Sequence, residues 1–139
     1  MTANPASNHI WNAYAGDFTG FCIGFQPEIF EGYANGPIHY VPELPVFRGD
    51  EDTMAYFVNL IYLKHEQYRA EAEYRISRFW PPNEPTINQR KLQATPQQVA
   101  EVIIGYKAPA EFADFVYKQL PNTLIRIANP DGTGGVILS

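Results

Sequence analysis

The sequence predicts an α+β fold, a mixed or mostly antiparallel sheet with two principal helices packed on it. Three observations carry that expectation. Short apolar runs bounded by glycine and proline recur, as in Gly20-Phe-Cys-Ile-Gly-Phe25 and Ile38-His-Tyr-Val41. Two longer stretches, Thr53 to His65 and Pro109 to Leu120, repeat apolar residues at helical spacing. The composition, 45% hydrophobic and 14% aromatic against 18% charged, is that of a chain that builds a core and not of a disordered segment. A length of 139 residues suits one domain, expected over 9–139 behind a disordered polar tail at 1–8.

In chain order, His9 to Ala15 suits a short helical turn, and Gly20 to Phe25 a buried strand whose glycines permit close backbone approach. Pro27 to Gly36 reads as a helical turn and loop, and Ile38 to Val41 as a strand ended by Pro42 and Pro45. The first principal helix starts at Asp50-Glu-Asp52, whose carboxylates suit the positive end of a helix, and aligns Met54, Phe57, Val58 and Ile61 on one face. Alternation from Ala70 to Trp80 then predicts a strand with Ala72, Tyr74 and Ile76 on one face and Glu71, Glu73 and Arg75 on the other. Trp80-Pro-Pro-Asn-Glu-Pro85 must break regular structure, because proline lacks the backbone donor and restricts its predecessor.

A further strand is expected at Ile87 to Gln93. Thr95-Pro-Gln-Gln98 fits a capping box, in conflict with the Val-Ile-Ile content that favours a strand from Glu101 to Tyr106. The second helix places Phe112, Phe115, Val116 and Leu120 on a core stripe and stops at Pro121. Thr123 to Ala128 and Gly135 to Leu138 read as strands joined by the turn Asn129-Pro-Asp-Gly-Thr-Gly134.

Composition excludes some function classes. A net charge of -5 and no basic run disfavour nucleic-acid binding, which rests on clustered Lys and Arg. The single Cys22 lies in an apolar run, so it forms no internal disulfide and fits a reducing cytoplasm. No secretory signal is expected, since Met1 to Asn8 is polar and contains Pro5; no apolar stretch approaches the ~20 residues of a membrane helix. His9, His39 and His65 show no metal-ligand spacing, so no metal is expected. The glycines of Gly132-Thr-Gly-Gly135 sit between strands and suit a hairpin better than a phosphate cradle.

Three stretches resemble the bacterial family catalogued as domain of unknown function 2971. Ile10-Trp11-Asn-Ala-Tyr14-Ala15 followed by Gly20 to Phe25 is similar to its Met-Trp-x-x-Tyr-Ala and Gly-centred strand; Lys64, Tyr68, Glu71, Glu73, Tyr74 and Arg75 are similar to its Lys, aromatic, Glu-x-Glu-Tyr-Arg spacing. Val102-Ile-Ile-Gly105 resembles its final segment. The family's opening strand, helix and Asn-Asp-Pro motif have no counterpart, so the chain is expected to correspond to the later two thirds.

The resemblance implies two functional classes. One is a small acidic protein that binds a protein partner, inhibitor-like, in conflict between phages or other mobile elements and bacterial hosts. The other, through a distant likeness of the family to ADP-ribosyltransferases, is an enzyme using NAD. There Glu73 or Glu71 would be the catalytic carboxylate that orients a ribose hydroxyl and steadies positive charge on a sugar carbon, and Tyr14, Trp11 and Arg75 would hold the cofactor. The residues also admit plain readings. Glu71, Glu73 and Arg75 suit the solvated face of an amphipathic strand, and Trp11, Tyr14, Phe21 and Phe25 suit a core as well as a pocket for a flat ligand. The missing opening ranks binding first, because a transferase without its dinucleotide-gripping strand loses the contacts that position the reactive bond.

Overall fold

The structure, a computed structural model, describes residues 1–49, 52–78 and 85–139. Asp50, Glu51 and most of the expected break from Trp80 lie outside the described residues. In chain order the elements are α1 (Asn8–Tyr14), β1 (Phe21–Phe25), β2 (Ala34–Pro37), β3 (His39–Val41), α2 (Thr53–Ile61), β4 (Leu63–His65), β5 (Tyr74–Ser77), β6 (Val99–Gly105), α3 (Ala110–Gln119), β7 (Leu124–Pro130) and β8 (Val136–Leu138). Short 3-10 segments occupy Pro27–Phe30, Glu66–Glu71 and Pro96–Gln98. The fold is α+β with a mixed sheet, as the periodicities predict. The chain divides into two compact units: Met1–Asn4 with Gly32–Arg78, and Pro5–Glu31 with Phe79–Ser139.

The second unit is built on a four-stranded sheet in the order β1-β6-β7-β8. Strands β6 and β7 are parallel and connected through α3, while β1 and β8 pair antiparallel at the two edges. The Val-Ile-Ile run of β6 takes a central place because it is apolar on both faces. Val102 and Ile104 lie under α3, where Val116, Phe112 and Leu120 cover them together with Ile125 and Ile127 of β7. On the opposite face Ile103 and Ala128 lie against Trp11 and Phe18. Trp11, 1% exposed, stacks on Phe18 with ring centroids 5.4 Å apart and donates its indole N–H to the Pro5 carbonyl at 2.7 Å, which satisfies the one polar group of a buried indole.

One glycine in this unit is required by close approach. A Cβ on Gly105 would stand 2.1 Å from the Phe18 carbonyl oxygen. That oxygen accepts from Lys107 N at 3.1 Å, in a loop where Asp17 and Phe18 both have positive φ. The turn between β7 and β8 is organised by Asp131, whose Oδ1 accepts from Thr133 N at 2.7 Å and Gly135 N at 2.9 Å.

Ile87 to Gln93 contains no strand: residues 87–90 form a turn in which Arg90 N donates to the Thr86 carbonyl. A strand needs a pairing partner, which apolar content does not supply. The capping box does form, with Gln98 Oε1 accepting from Thr95 N at 2.9 Å, but it supports one 3-10 turn before β6 begins. Phe115, assigned by periodicity to the core stripe of α3, is 58% exposed.

In the first unit β2 pairs antiparallel with β5, and β3 pairs parallel with β4. Helix α2 connects β3 to β4 and is capped by Asp52, whose Oδ1 accepts from Met54 N and Ala55 N. The helix ends at Ile61 and not at His65; Leu63 to His65 belong to β4. The first residues are not a free tail. Met1 and Tyr74 exchange backbone hydrogen bonds, Ala3 N donates to the Ala72 carbonyl at 2.8 Å, and Thr2 bridges Glu73. Among the described residues of this unit only Ile38 and Glu71 are buried. Two-stranded sheets offer too little surface to cover the apolar side of α2, so Met54 stays 68% and Phe57 53% exposed. No described helix is long and apolar enough to cross a membrane.

Candidate functional site

The most concentrated polar arrangement surrounds Lys64, in the middle of β4. Its ammonium contacts Glu71 Oε2 at 2.5 Å and Glu73 Oε2 at 3.1 Å. It also lies 4.7 Å from the ring centroid of Tyr68. Arg75 grips Glu73 from the other side, Nε to Oε1 at 2.5 Å and Nη2 to Oε2 at 3.1 Å, and donates through Nη1 to the Ile61 carbonyl at the end of α2. The Glu73 backbone N–H donates to Tyr40 Oη at 2.7 Å, and the Thr2 hydroxyl donates to the Glu71 carbonyl at 2.7 Å. Residues from β3, β4, β5 and the amino-terminal segment therefore converge on two glutamates, Lys64 and Arg75 on the carboxylates and Tyr40 and Thr2 on the backbone.

The local conformation explains how they meet. Glu73 and Arg75 share a face two residues apart in extended backbone, which makes the two-oxygen grip geometrically direct. Glu71 is not on that strand, as alternation alone would have it. It ends the 3-10 turn, and Ala72, left-handed at φ 44 and ψ 49, turns the chain between it and Glu73. The solvated-face expectation fails for Glu71, which is 7% exposed. A carboxylate so placed must be compensated, and Lys64 supplies the charge.

Electrostatics follow from this geometry. The hydrogen bond from Arg75 lowers the Glu73 pKa; burial opposes it, and the Lys64 hydrogen bond adds to the lowering, so the carboxyl falls from its ordinary 4.5 to about 2. Burial pulls the Lys64 ammonium down, yet hydrogen bonds to Glu71 and Glu73 outweigh it and hold its pKa above the ordinary value. The Arg75 guanidinium is likewise raised by its bond to Glu73, against partial desolvation. A folded-state value below 4.5 means that ionised Glu73 stabilises the fold. Its contribution is complete above pH 4.5 and is lost as pH falls toward about 2. We expect urea midpoints to drop through that window by the equivalent of up to about 3 kcal/mol, and Glu73→Gln to flatten the decline.

Chemically, both oxygens of Glu73 are occupied by cations, so the group serves as an ion-pair acceptor. Three of its roughly four acceptor positions are taken, which leaves a ligand hydroxyl one lone pair on Oε1. Of the residues the sequence singled out, Glu71, Glu73 and Arg75 come together in the first unit. Trp11 lies in the core of the second unit and Tyr14, 67% exposed, on that unit's surface. A cleft of about 350 Å3 in the second unit, lined by Gln26, Pro96, Val99, Leu120 and Asn122 among others, is bordered by none of these five. His65 accepts from Gln67 N through Nδ1, as the cap of its 3-10 turn. Among the described residues no group of three His, Cys, Asp or Glu side chains is placed to share a metal. Tyr40 was missed by sequence reading; its role is a single hydroxyl contact across 33 positions, for which no local pattern exists.

A second feature of the first unit is apolar. Phe47 lies 5.0 Å from Tyr56 and 6.3 Å from Phe57, and Tyr56 Oη donates to the Pro45 carbonyl at 2.8 Å, fastening the segment before α2 to the helix. Leu44, Val46, Met54 and Phe57 are all exposed around this cluster. Glu43, Arg48 and Asp52, also exposed, lie in the same two stretches of chain. Compared with protein-family models, with curated proteins and with solved structures, the chain matches none.

Proposed function

We propose that the chain acts by binding a partner protein through the apolar face formed by α2 and the segment that precedes it. The observation that carries this reading is a helix with no buried residue, displaying Met54 and Phe57 beside Phe47, Val46 and Leu44. An exposed apolar patch of this kind with charged residues around it is the usual mark of an interaction surface, because leaving it in water is unfavourable unless a partner covers it. The occupied state of Glu73 argues in the same direction. Its partners Lys64 and Arg75 tie β4 and β5 together and Arg75 reaches the Ile61 carbonyl at the end of α2, a structural use that leaves the carboxylate little acceptor capacity for a ligand. The setting implied by the sequence resemblance, conflict between mobile elements and their bacterial hosts, suits an inhibitor-like partner-binding protein, and the partner would be a bacterial protein.

The test uses the whole chain as bait in bacterial lysate. Wild type should recover a partner in fixed stoichiometry, and Met54→Lys with Phe57→Glu should lose it while keeping the wild-type circular dichroism spectrum, since both side chains already face solvent. Transfer of label from NAD to a lysate protein, abolished by Glu73→Gln, would overturn the proposal in favour of the enzymatic reading.

A further inference from the structure

The second unit carries an apolar surface of its own, independent of the face on α2. Phe21, on the edge strand β1, stacks on Phe112 with centroids 4.8 Å apart, and Phe112 lies 6.5 Å from Phe115. Phe21 and Phe115 are exposed, as is Ile23 two residues along the same face of β1. The row therefore runs from the sheet edge, beside the covered half of α3, out to the helix's solvent side. It exists because α3 covers β6 and β7 and leaves the β1 side of that sheet face only partly covered.

The charges next to this row are arranged in a self-complementary way. Glu111 and Lys118 lie one turn before and one turn after the Asp114-Phe115 pair, and all four residues are exposed. Asp114 and Lys118 are four apart, a spacing at which a helix readily closes its own ion pair. Yet among the described residues none of Glu111, Asp114 and Lys118 forms one. A helix with acid toward its start, a base toward its end and an aromatic between them is complementary to its own antiparallel copy. A twofold axis crossing between Asp114 and Phe115 sets each Glu111 opposite the other copy's Lys118.

We infer that this face joins two copies of the chain, α3 antiparallel to α3, with Phe115 packed at the twofold and Glu111 paired to Lys118 across it. An isologous contact uses each favourable pair twice. The ten-residue helix is about 15 Å long, so the two helices overlap along their whole length. Phe21 and Ile23 then extend the apolar contact from the helix to the sheet edge. The occupant is a second copy because the charge order matches its own reversal, a symmetry that an unrelated partner would have no reason to share.

Sedimentation equilibrium of the full chain over a concentration series tests this. The expected result is a reversible shift from 15.7 kDa toward twice that mass. Phe115→Glu should leave monomer at every concentration, with its circular dichroism spectrum unchanged. Lys118→Glu should weaken association by at least about tenfold, and combining it with Glu111→Lys should restore it, since the exchanged charges again oppose each other across the axis. Wild type at 15.7 kDa throughout would overturn the inference. So would a dimer indifferent to Phe115→Glu, or a double exchange that associates no better than Lys118→Glu alone.

Discussion

Replacing Lys64 by Met is expected to destabilise the first unit by about 3 kcal/mol, read as a lower urea midpoint for loss of helix signal. The methionine fills nearly the same volume, so the cost comes from charge. Glu71 is 7% exposed and pairs with Lys64 at 2.5 Å. Removing that cation takes away charge compensation from a desolvated carboxylate, which is unfavourable relative to the native pair. Glu73 keeps Arg75 and should suffer less. Adding Glu71→Gln to Lys64→Met should therefore return much of the loss, since the amide removes the stranded charge. The Lys107–Asp17 pair of the second unit is well exposed on both sides, and Lys107→Met should leave the midpoint where it is.

Gly105→Ala should cost a comparable amount, about 3 kcal/mol, in the second unit. The added methyl would lie 2.1 Å from the Phe18 carbonyl oxygen. A flexible side chain could yield, but this neighbour is backbone, fixed by Lys107 N and by positive φ angles at Asp17 and Phe18. Relief would have to displace Phe18 from the Trp11 stack, loosening the core on that face of β6. Thermal unfolding followed by tryptophan fluorescence reads this, because Trp11 lies at the affected contact. Gly132→Ala makes a useful contrast: nothing lies within 4 Å of its Cβ, and its cost comes from the left-handed φ of 79 alone.

These two sites mark how far the sequence is legible. In the second unit, strand and helix periodicities place β1, β6, α3, β7 and β8 well, but β1, expected to be buried, is an edge strand whose Phe21 and Ile23 stay exposed because α3 covers β6 and β7 first. Phe115 is a second exception, since periodicity identifies the side of a helix and not the extent of the surface it meets. The first unit shows the limit more plainly. Met54 and Phe57 have core-like spacing and remain exposed, as the two-stranded sheets provide no surface broad enough for them. The candidate site was half visible. Alternation paired Glu73 with Arg75, but the 3-10 turn and the left-handed Ala72 that deliver Glu71 to Lys64 have no signature in residue type, since alanine rarely adopts that conformation. Tyr40 and the pairing of Met1 to Ala3 with residues 72–74 depend on contacts across tens of positions, beyond any local rule.

Binding is preferred over transfer partly because Glu73 is engaged as an ion-pair acceptor by Arg75 and Lys64. Titration of the Glu73 side-chain carboxyl carbon by nuclear magnetic resonance, in the whole chain, measures that engagement. The arrangement with Arg75 and Lys64 requires a midpoint near 2, well under the ordinary 4.5. A midpoint at or above 4.5 would mean that neither cation holds the carboxylate in solution, and the preference for binding over transfer would be contradicted.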